Sequence, residues 1–148
     1  MEGCIFCEFP KQDKESDPDN LIVHRGSLAY IILNAYPYSN GHLMVVPYQH
    51  TASLDCFSAE EMLEVMQLTR LSVNLLKHVF KPDGFNLGVN MGRVAGAGIA
   101  DHIHWHIVPR WNGDTNFMPV LADVRVIPES LEVVHQRLSE ALAEELSK

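Results

Sequence analysis

Apolar residues fall into short runs over the first third of the chain and into helical spacing after it. Leu21 to His24, Ala29 to Leu33 and His42 to Val46 are β-rich segments separated by Arg25-Gly26-Ser27 and by Tyr36-Pro37-Tyr38-Ser39-Asn40-Gly41. Runs bounded by turn formers in this way predict an antiparallel meander. Ser58-Ala-Glu-Glu61 has the form of a capping box, and behind it Met62, Val65, Met66, Thr69, Val73 and Leu76 recur at helical spacing. One long amphipathic helix is therefore expected to about His78, with Pro82-Asp83-Gly84 stopping it. Phe85 to Asn90 then predicts a strand, and the glycine-rich stretch Gly92 to Gly98 a loop. A last helix is expected to open at Pro128, with Leu131, Val134, Leu138, Ala141 and Leu142 on one stripe. Strands, helix, two strands and helix make an α+β domain: an antiparallel sheet with one long and one C-terminal helix, and no repeat.

Between the glycine loop and the last helix stands His102-Ile-His-Trp-His-Ile-Val108. In an extended strand His102, His104 and His106 share one face, about 7 Å apart along the chain, while Ile103, Trp105 and Ile107 supply an apolar opposite face. Burial does not need the histidines on that reading, so they are expected as a reactive surface for an anion, a metal or a covalent intermediate. Gly92, Gly96 and Gly98 let the backbone bend closely round a ligand, and N–H groups of such a loop can hold phosphate oxygens. A loop that delivers the chain directly to three aligned histidines suggests a phosphate held against an imidazole.

The 148 residues suit a single domain over 1–148, with residues 10–20, rich in turn formers and without apolar period, as a mobile loop. A net charge of -8 argues against sequence-independent attachment to nucleic acid or to an acidic membrane. No run approaches the roughly 20 apolar residues of a membrane span, and the start has no basic region followed by a long apolar stretch, so no secretory signal is expected. Of three cysteines, two form Cys4-Ile-Phe-Cys7, which suits metal binding in a reducing cytoplasm better than a disulfide framework. Four-coordinate zinc would need two further ligands, for which His50 and the first histidine of the triad are candidates. The alternative is a pair of free or redox-active thiols, although no strand-to-helix context supports a thioredoxin-like motif.

Other positions have plainer expectations. Cys56 reads as a buried apolar filler, Met62 and Met66 as core packing, and His24 and His135 as surface or structural. His78 suits the negative pole at a helix end. His42, beside Gly41, could lie near the site. Asp114-Thr-Asn-Phe117 is either an ordinary turn or a loop reaching a polyphosphate tail or second base.

The run His102 to Val108 resembles the motif of the histidine triad (HIT) proteins, His-φ-His-φ-His-φ-φ with φ apolar, at every position. The resemblance extends over Cys4-Ile-Phe-Cys7, over Leu33 to Pro47 and from Asn90 through the triad. The stretch from Ala95-Gly-Ala-Gly to Pro119 looks like the bacterial branch of diadenosine tetraphosphate phosphorylases. It implies a HIT-like fold and a nucleotidyl-transfer enzyme acting on dinucleoside polyphosphates, as phosphorylase or hydrolase. A purine nucleoside phosphoramidase, or a nucleotide-binding scaffold with little turnover, is the alternative. By the resemblance His104 is the nucleophile at the α-phosphorus, and His106 contacts that phosphate and assists the leaving group. Asn34 matches a ribose-binding position, Asn90 a phosphate contact, and Gly96, Ala97 and Gly98 the phosphate loop. Zinc-containing relatives imply a structural zinc on Cys4, Cys7, His50 and His102, with Mg²⁺ as a companion of a polyphosphate substrate. A homodimer is implied, with the long helix expected at the contact. Many HIT hydrolases carry Gln then Thr or Ser in the loop before the triad, where this chain has Ala97 and Gly98, which favours the phosphorylase branch. The nucleotidyltransferase branch has glutamine as its third residue, so His106 argues against a hexose-1-phosphate uridylyltransferase.

Overall fold

The computed structural model describes residues 3–115, 121 and 128–147. Among the described residues five strands form one antiparallel sheet in the order β1-β2-β3-β5-β4: β1 Ile22–Arg25, β2 Ala29–Leu33, β3 Leu43–Pro47, β4 Gly84–Val89 and β5 Trp105–Arg110. A short helix α1 (Ile5–Glu8) precedes the sheet, α2 (Ala59–Phe80) links β3 to β4, and α3 (Leu131–Leu146) closes the chain.

The meander runs are continuous rather than alternating because both faces of the sheet are covered. Ile31, Leu33, Leu43, Val45 and Ile107 pack against Val65, Leu68, Leu75 and Leu76 of α2 and Val134, Leu138 and Leu142 of α3. On the opposite face Tyr30, Ile32, Met44 and Val46 pack with Cys4 and Phe6 at the N-terminus. Tyr30 O–H donates to Phe6 O (2.9 Å), so α1 is tied to the sheet through a buried hydroxyl.

The capping box at α2 is formed in both directions: Ser58 N–H donates to Glu61 Oε2 (2.8 Å) and Glu61 N–H to Ser58 Oγ (3.2 Å). The helix runs to Phe80, two residues past the expected end, and Lys81 terminates it with a left-handed backbone (φ 50°). The last helix opens on the Ser130 cap rather than at Pro128, because the serine hydroxyl accepts from Val133 N–H.

Two local expectations, those for Cys56 and Met66, are corrected, while Asp114 and His135 take one of the roles expected of them. Residues 10–20 carry the 3-10 turns Phe9–Lys11 and Lys14–Ser16. Arg25 ties these turns together, donating to both Asp17 carboxylate oxygens and to Pro10 O and Gln12 O. Cys56 is exposed, not buried, and Met66 lies 54% exposed on the outer face of α2. His135 is buried, donating Nε2–H to Ile22 O (2.7 Å) at the bulge of β1. Asp114 builds a turn, accepting from Trp111 N–H and pairing with Arg110 at 2.6 Å; Asn116 and Phe117 of that stretch lie outside the described residues.

Candidate active site and metal centre

The histidine run divides at Trp105. His102 and His104 lie in the approach to β5 and only His106 lies within it. The expectation of an exposed histidine face is corrected: His102 is fully buried and His104 is 5% exposed. The cover is Phe6 of α1, whose ring lies 5.5 Å from that of His102 and 4.9 Å from that of His104. Each imidazole then has its own task, fixed by what its second nitrogen bonds.

His102 donates Nε2–H to Pro47 O (2.8 Å), which leaves Nδ1 as a lone pair. That nitrogen lies 3.4 Å from Cys4 Sγ, 3.6 Å from Cys7 Sγ and 3.2 Å from His50 Nδ1, and Cys7 Sγ lies 3.3 Å from His50 Nδ1. All four donor atoms fall within 4.8 Å of one another. A tetrahedral ion bonded at about 2.0 Å to nitrogen and 2.3 Å to sulfur needs donors roughly 3.3–3.8 Å apart, and these four separations of 3.2–3.6 Å suit such an ion. The Pro47 carbonyl orients its ligand as an outer shell should. Ile103 N–H donates to Thr51 O (2.8 Å), which brings the histidine run beside His50. Burial, then the neighbouring Cys4 thiol, push the Cys7 thiol up; a bound cation would reverse that by favouring thiolate.

His104 Nδ1 lies 2.9 Å from His102 O, and since a carbonyl only accepts, the proton sits on Nδ1 and Nε2 keeps its lone pair. Burial lowers the pKa of His104 against the opposing pull of that carbonyl, so the ring is neutral near pH 7. Its ring centre lies 4.8 Å from that of His106.

His106 pairs through Nδ1 with His42 Nε2 at 2.8 Å. Tyr38 N–H donates to His42 Nδ1 (3.1 Å), which makes that nitrogen an acceptor and leaves the His42 proton on Nε2. The His42 proton therefore points at His106 Nδ1, and neutral His106 carries its own proton on Nε2. That nitrogen is buried with no hydrogen-bond partner among the described residues, an arrangement that proteins rarely leave unused. Burial, reinforced by His104, lowers the His106 pKa to about 4. Local sequence places the fourth histidine, His42, only near the site. Strand parity is the signal for its role: Met44 is the register partner of His106, so His42, two residues earlier, faces the same side as a diagonal neighbour.

The remaining expected positions are brought in to different degrees. Asn34 Oδ1 accepts from Tyr36 N–H (2.9 Å) and its Nδ2 lies 3.4 Å from His42 Nδ1, so it shapes the turn beside the histidines. Asn90 follows Val89, the partner of Trp105, and is thereby brought opposite His104 by register. Gly96 adopts φ 87°, and Gly96 N–H and Ala97 N–H are turned inward to Arg93 O (3.0 Å) and Gly92 O (3.4 Å). Of the three loop residues, Gly98 alone has no backbone N–H bond of this kind among the described residues.

The model of the HIT domain family matches residues 15–113. Over 134 residues the chain is 42% identical to the AP-4-A phosphorylase of Mycobacterium tuberculosis, covering 90% of this chain and 67% of that one. It is 26% identical over 137 residues to an adenosine 5'-monophosphoramidase of Schizosaccharomyces pombe, covering 93% and 96% of the two. A Zn-bound histidine triad family protein from Mycobacterium smegmatis superposes with a TM-score of 0.75 at 26% identity, over 98% of this chain and 96% of that one.

Proposed function

Because the chain belongs to the HIT family, we propose that it is an enzyme transferring a nucleotidyl group from a dinucleoside polyphosphate, such as diadenosine tetraphosphate, through a covalent intermediate on His104. The observation that carries the reading is the pair of opposed nitrogens: a lone pair on His104 Nε2 and a proton on His106 Nε2. In the first displacement His104 Nε2 forms a bond to the α-phosphorus as the bond to the bridging oxygen breaks, and the electron pair leaves with the polyphosphate, here ATP. Inorganic phosphate, or water, then attacks the same phosphorus and returns the electron pair to Nε2, releasing ADP or AMP respectively.

His106 Nε2–H would donate a hydrogen bond to the leaving oxygen. A phosphate oxygen is a weak base and needs little more than that. An amine leaving group needs a full proton, which a ring with a pKa near 4 holds sparingly. The phosphorylase or hydrolase reading is therefore favoured over the phosphoramidase one. Asn34 would meet the ribose, Asn90 and residues 96–98 the phosphates, and Mg²⁺ would accompany the polyphosphate.

We assign zinc to Cys4, Cys7, His50 and His102, whose two thiols and two imidazoles are the donor set that zinc prefers. Bound there it would supply a structural cross-link, since four protein ligands leave no open position. We also assign the chain to a reducing compartment, the cytoplasm, on the chemistry of its thiols; among the described residues no helix is long and apolar enough to cross a membrane. A homodimer is our reading of the edge strand β4, where Leu87 is 53% exposed and, among the described residues, one row of backbone groups has no neighbouring strand. Its test is a solution mass twice that of the chain.

The deciding experiment is turnover of diadenosine tetraphosphate with and without inorganic phosphate, with the products separated by anion exchange. ADP plus ATP only with phosphate defines a phosphorylase, and AMP plus ATP without it a hydrolase. No turnover, alongside release of AMP from an adenosine phosphoramidate, would overturn both. His104→Ala should abolish turnover while nucleotide binding stays within about threefold; a scaffold would lose nothing measurable.

A further inference from the structure

We propose that Glu129, at the entry to α3, is a positioning residue that holds the proton of His106 in place through Asn40 and the loop of residues 36–41. The proposal rests on the reading above that His106 assists the leaving group. Glu129 itself touches none of the three triad histidines among the described residues.

The tie begins with a carboxylate that can only accept. Glu129 Oε2 takes Asn40 Nδ2–H at 2.9 Å, which sets the orientation of the Asn40 amide. Glu129 Oε1 takes Arg137 Nη1–H at 2.6 Å. Arg137 in turn donates Nη2–H to Val79 O (3.0 Å) and lies over the Phe80 ring at 4.7 Å. One carboxylate thus joins α3, the last turn of α2 and the loop.

The loop is held against the same turn of α2. Gly41 has φ 77°, and a Cβ there would lie 2.9 Å from Leu76 and 3.2 Å from Phe80. Ser39 Oγ–H donates to Pro109 O (2.8 Å) and so fastens the loop to β5. Between these anchors the loop performs two tasks at the site. Tyr38 N–H bonds His42 Nδ1 at 3.1 Å, and the Tyr38 ring stacks on His106 at 5.9 Å and 17°.

The consequence is a question of tautomers. With Tyr38 N–H in place, His42 must carry its proton on Nε2, and His106 must accept on Nδ1 and present Nε2–H. If the tie is cut, Asn40 Nδ2–H loses its acceptor beside an Oδ1 that is already buried without a partner among the described residues, and the loop settles elsewhere. Of the two donors described at His42 Nδ1 only the longer one, Asn34 Nδ2 at 3.4 Å, then remains, and part of the population takes the proton on Nδ1. In that population His106 carries its proton on Nδ1, and Nε2 faces the leaving oxygen with a lone pair.

The test uses the full chain and three variants, with kcat and KM for diadenosine tetraphosphate plus phosphate and the ¹⁵N spectra of the His42 and His106 rings. Glu129→Ala and Asn40→Asp should each lower kcat about tenfold, with KM within twofold, since small displacements of a catalytic group act on the chemical step. Both should move the His106 Nδ1 signal away from the acceptor position. Asn40→Asp combined with Glu129→Gln reverses donor and acceptor across the tie and should restore most of the rate and the ring signal. A lowered melting temperature with unchanged kcat and unchanged ring nitrogens in both single variants would make the tie merely structural and overturn the proposal. Should one single variant not fold, the other decides. If the unaltered chain turns over no dinucleoside polyphosphate, the functional reading fails, and the ring spectra alone then decide whether Glu129 sets the tautomer.

Discussion

At His106 burial and hydrogen bonding act on one ring in different ways. Burial removes its charge, bringing the pKa to about 4, while the His42 proton decides which nitrogen keeps the remaining hydrogen. A group of this kind is a neutral donor near pH 7 rather than an acid. The consequence separates leaving groups. Turnover of a dinucleoside polyphosphate should be nearly level between pH 8 and pH 6. Any turnover of an adenosine phosphoramidate should rise about tenfold for each unit that pH falls, since the cationic fraction of a group titrating well below this window grows by that factor. Parallel pH profiles for the two substrates would contradict the neutral-donor role.

Among the elements, the loop before β3 and the helix before β1 carry the site. Gly41 is held both by its positive φ and by the close approach of Leu76 and Phe80, whereas Gly84 has ordinary φ and nothing within 4 Å of an added Cβ. Gly41→Ala should cost about 2 kcal/mol or more by urea denaturation, and Gly84→Ala less than about 1 kcal/mol. Equal effects would mean that the loop does not pack as described. Helix α1 has a different candidate anchor, the set of Cys4, Cys7, His50 and His102, through which a bound ion would join it to the segment after β3 and to the approach to β5. Loading with zinc should bring one ion per chain, and its removal by a chelator should lower the melting temperature by about 5 °C or more. Cys4→Ser should abolish both the stoichiometric ion and the response to chelation.

For the molecule as a whole, the buried histidines set the response to acid. Burial lowers the pKa of His24, His102, His104 and His106 below the ordinary value of 6.5. As pH falls below 6.5 the unfolded chain binds protons that the folded chain refuses, so stability falls with pH until the folded groups titrate, for His106 near 4. Melting temperature should therefore drop steadily between pH 6.5 and 4, and His106→Asn should flatten that slope; an unchanged slope would remove His106 from the account. Asp114 adds a later loss, since its pairing with Arg110 holds its carboxyl below the usual range and that contribution vanishes only as pH falls through the lowered value. Much of this architecture is legible in local pattern. The meander, the capping box at Ser58 and the stripe of α3 need only neighbours a few residues away, because period and caps are properties of short segments. The spacing Cys4-x-x-Cys7 and the alternation of the triad likewise narrow the chemistry to thiolate and imidazole. Other features depend on distant partners. Residues 10–20 read as a plain loop until Arg25 gathers them, and Cys56 and Met66 read as core until the helices leave them outside. Local pattern is enough for the elements, their order and the residue types available for chemistry. It takes the packed fold to bring Phe6 over His102 and His104, to turn one nitrogen of His102 to Pro47 and the other to two thiols, and to set the proton of His42 through Tyr38. The physical reason is that a ring nitrogen's role follows from the group opposite it, and those groups lie far along the chain or across the sheet.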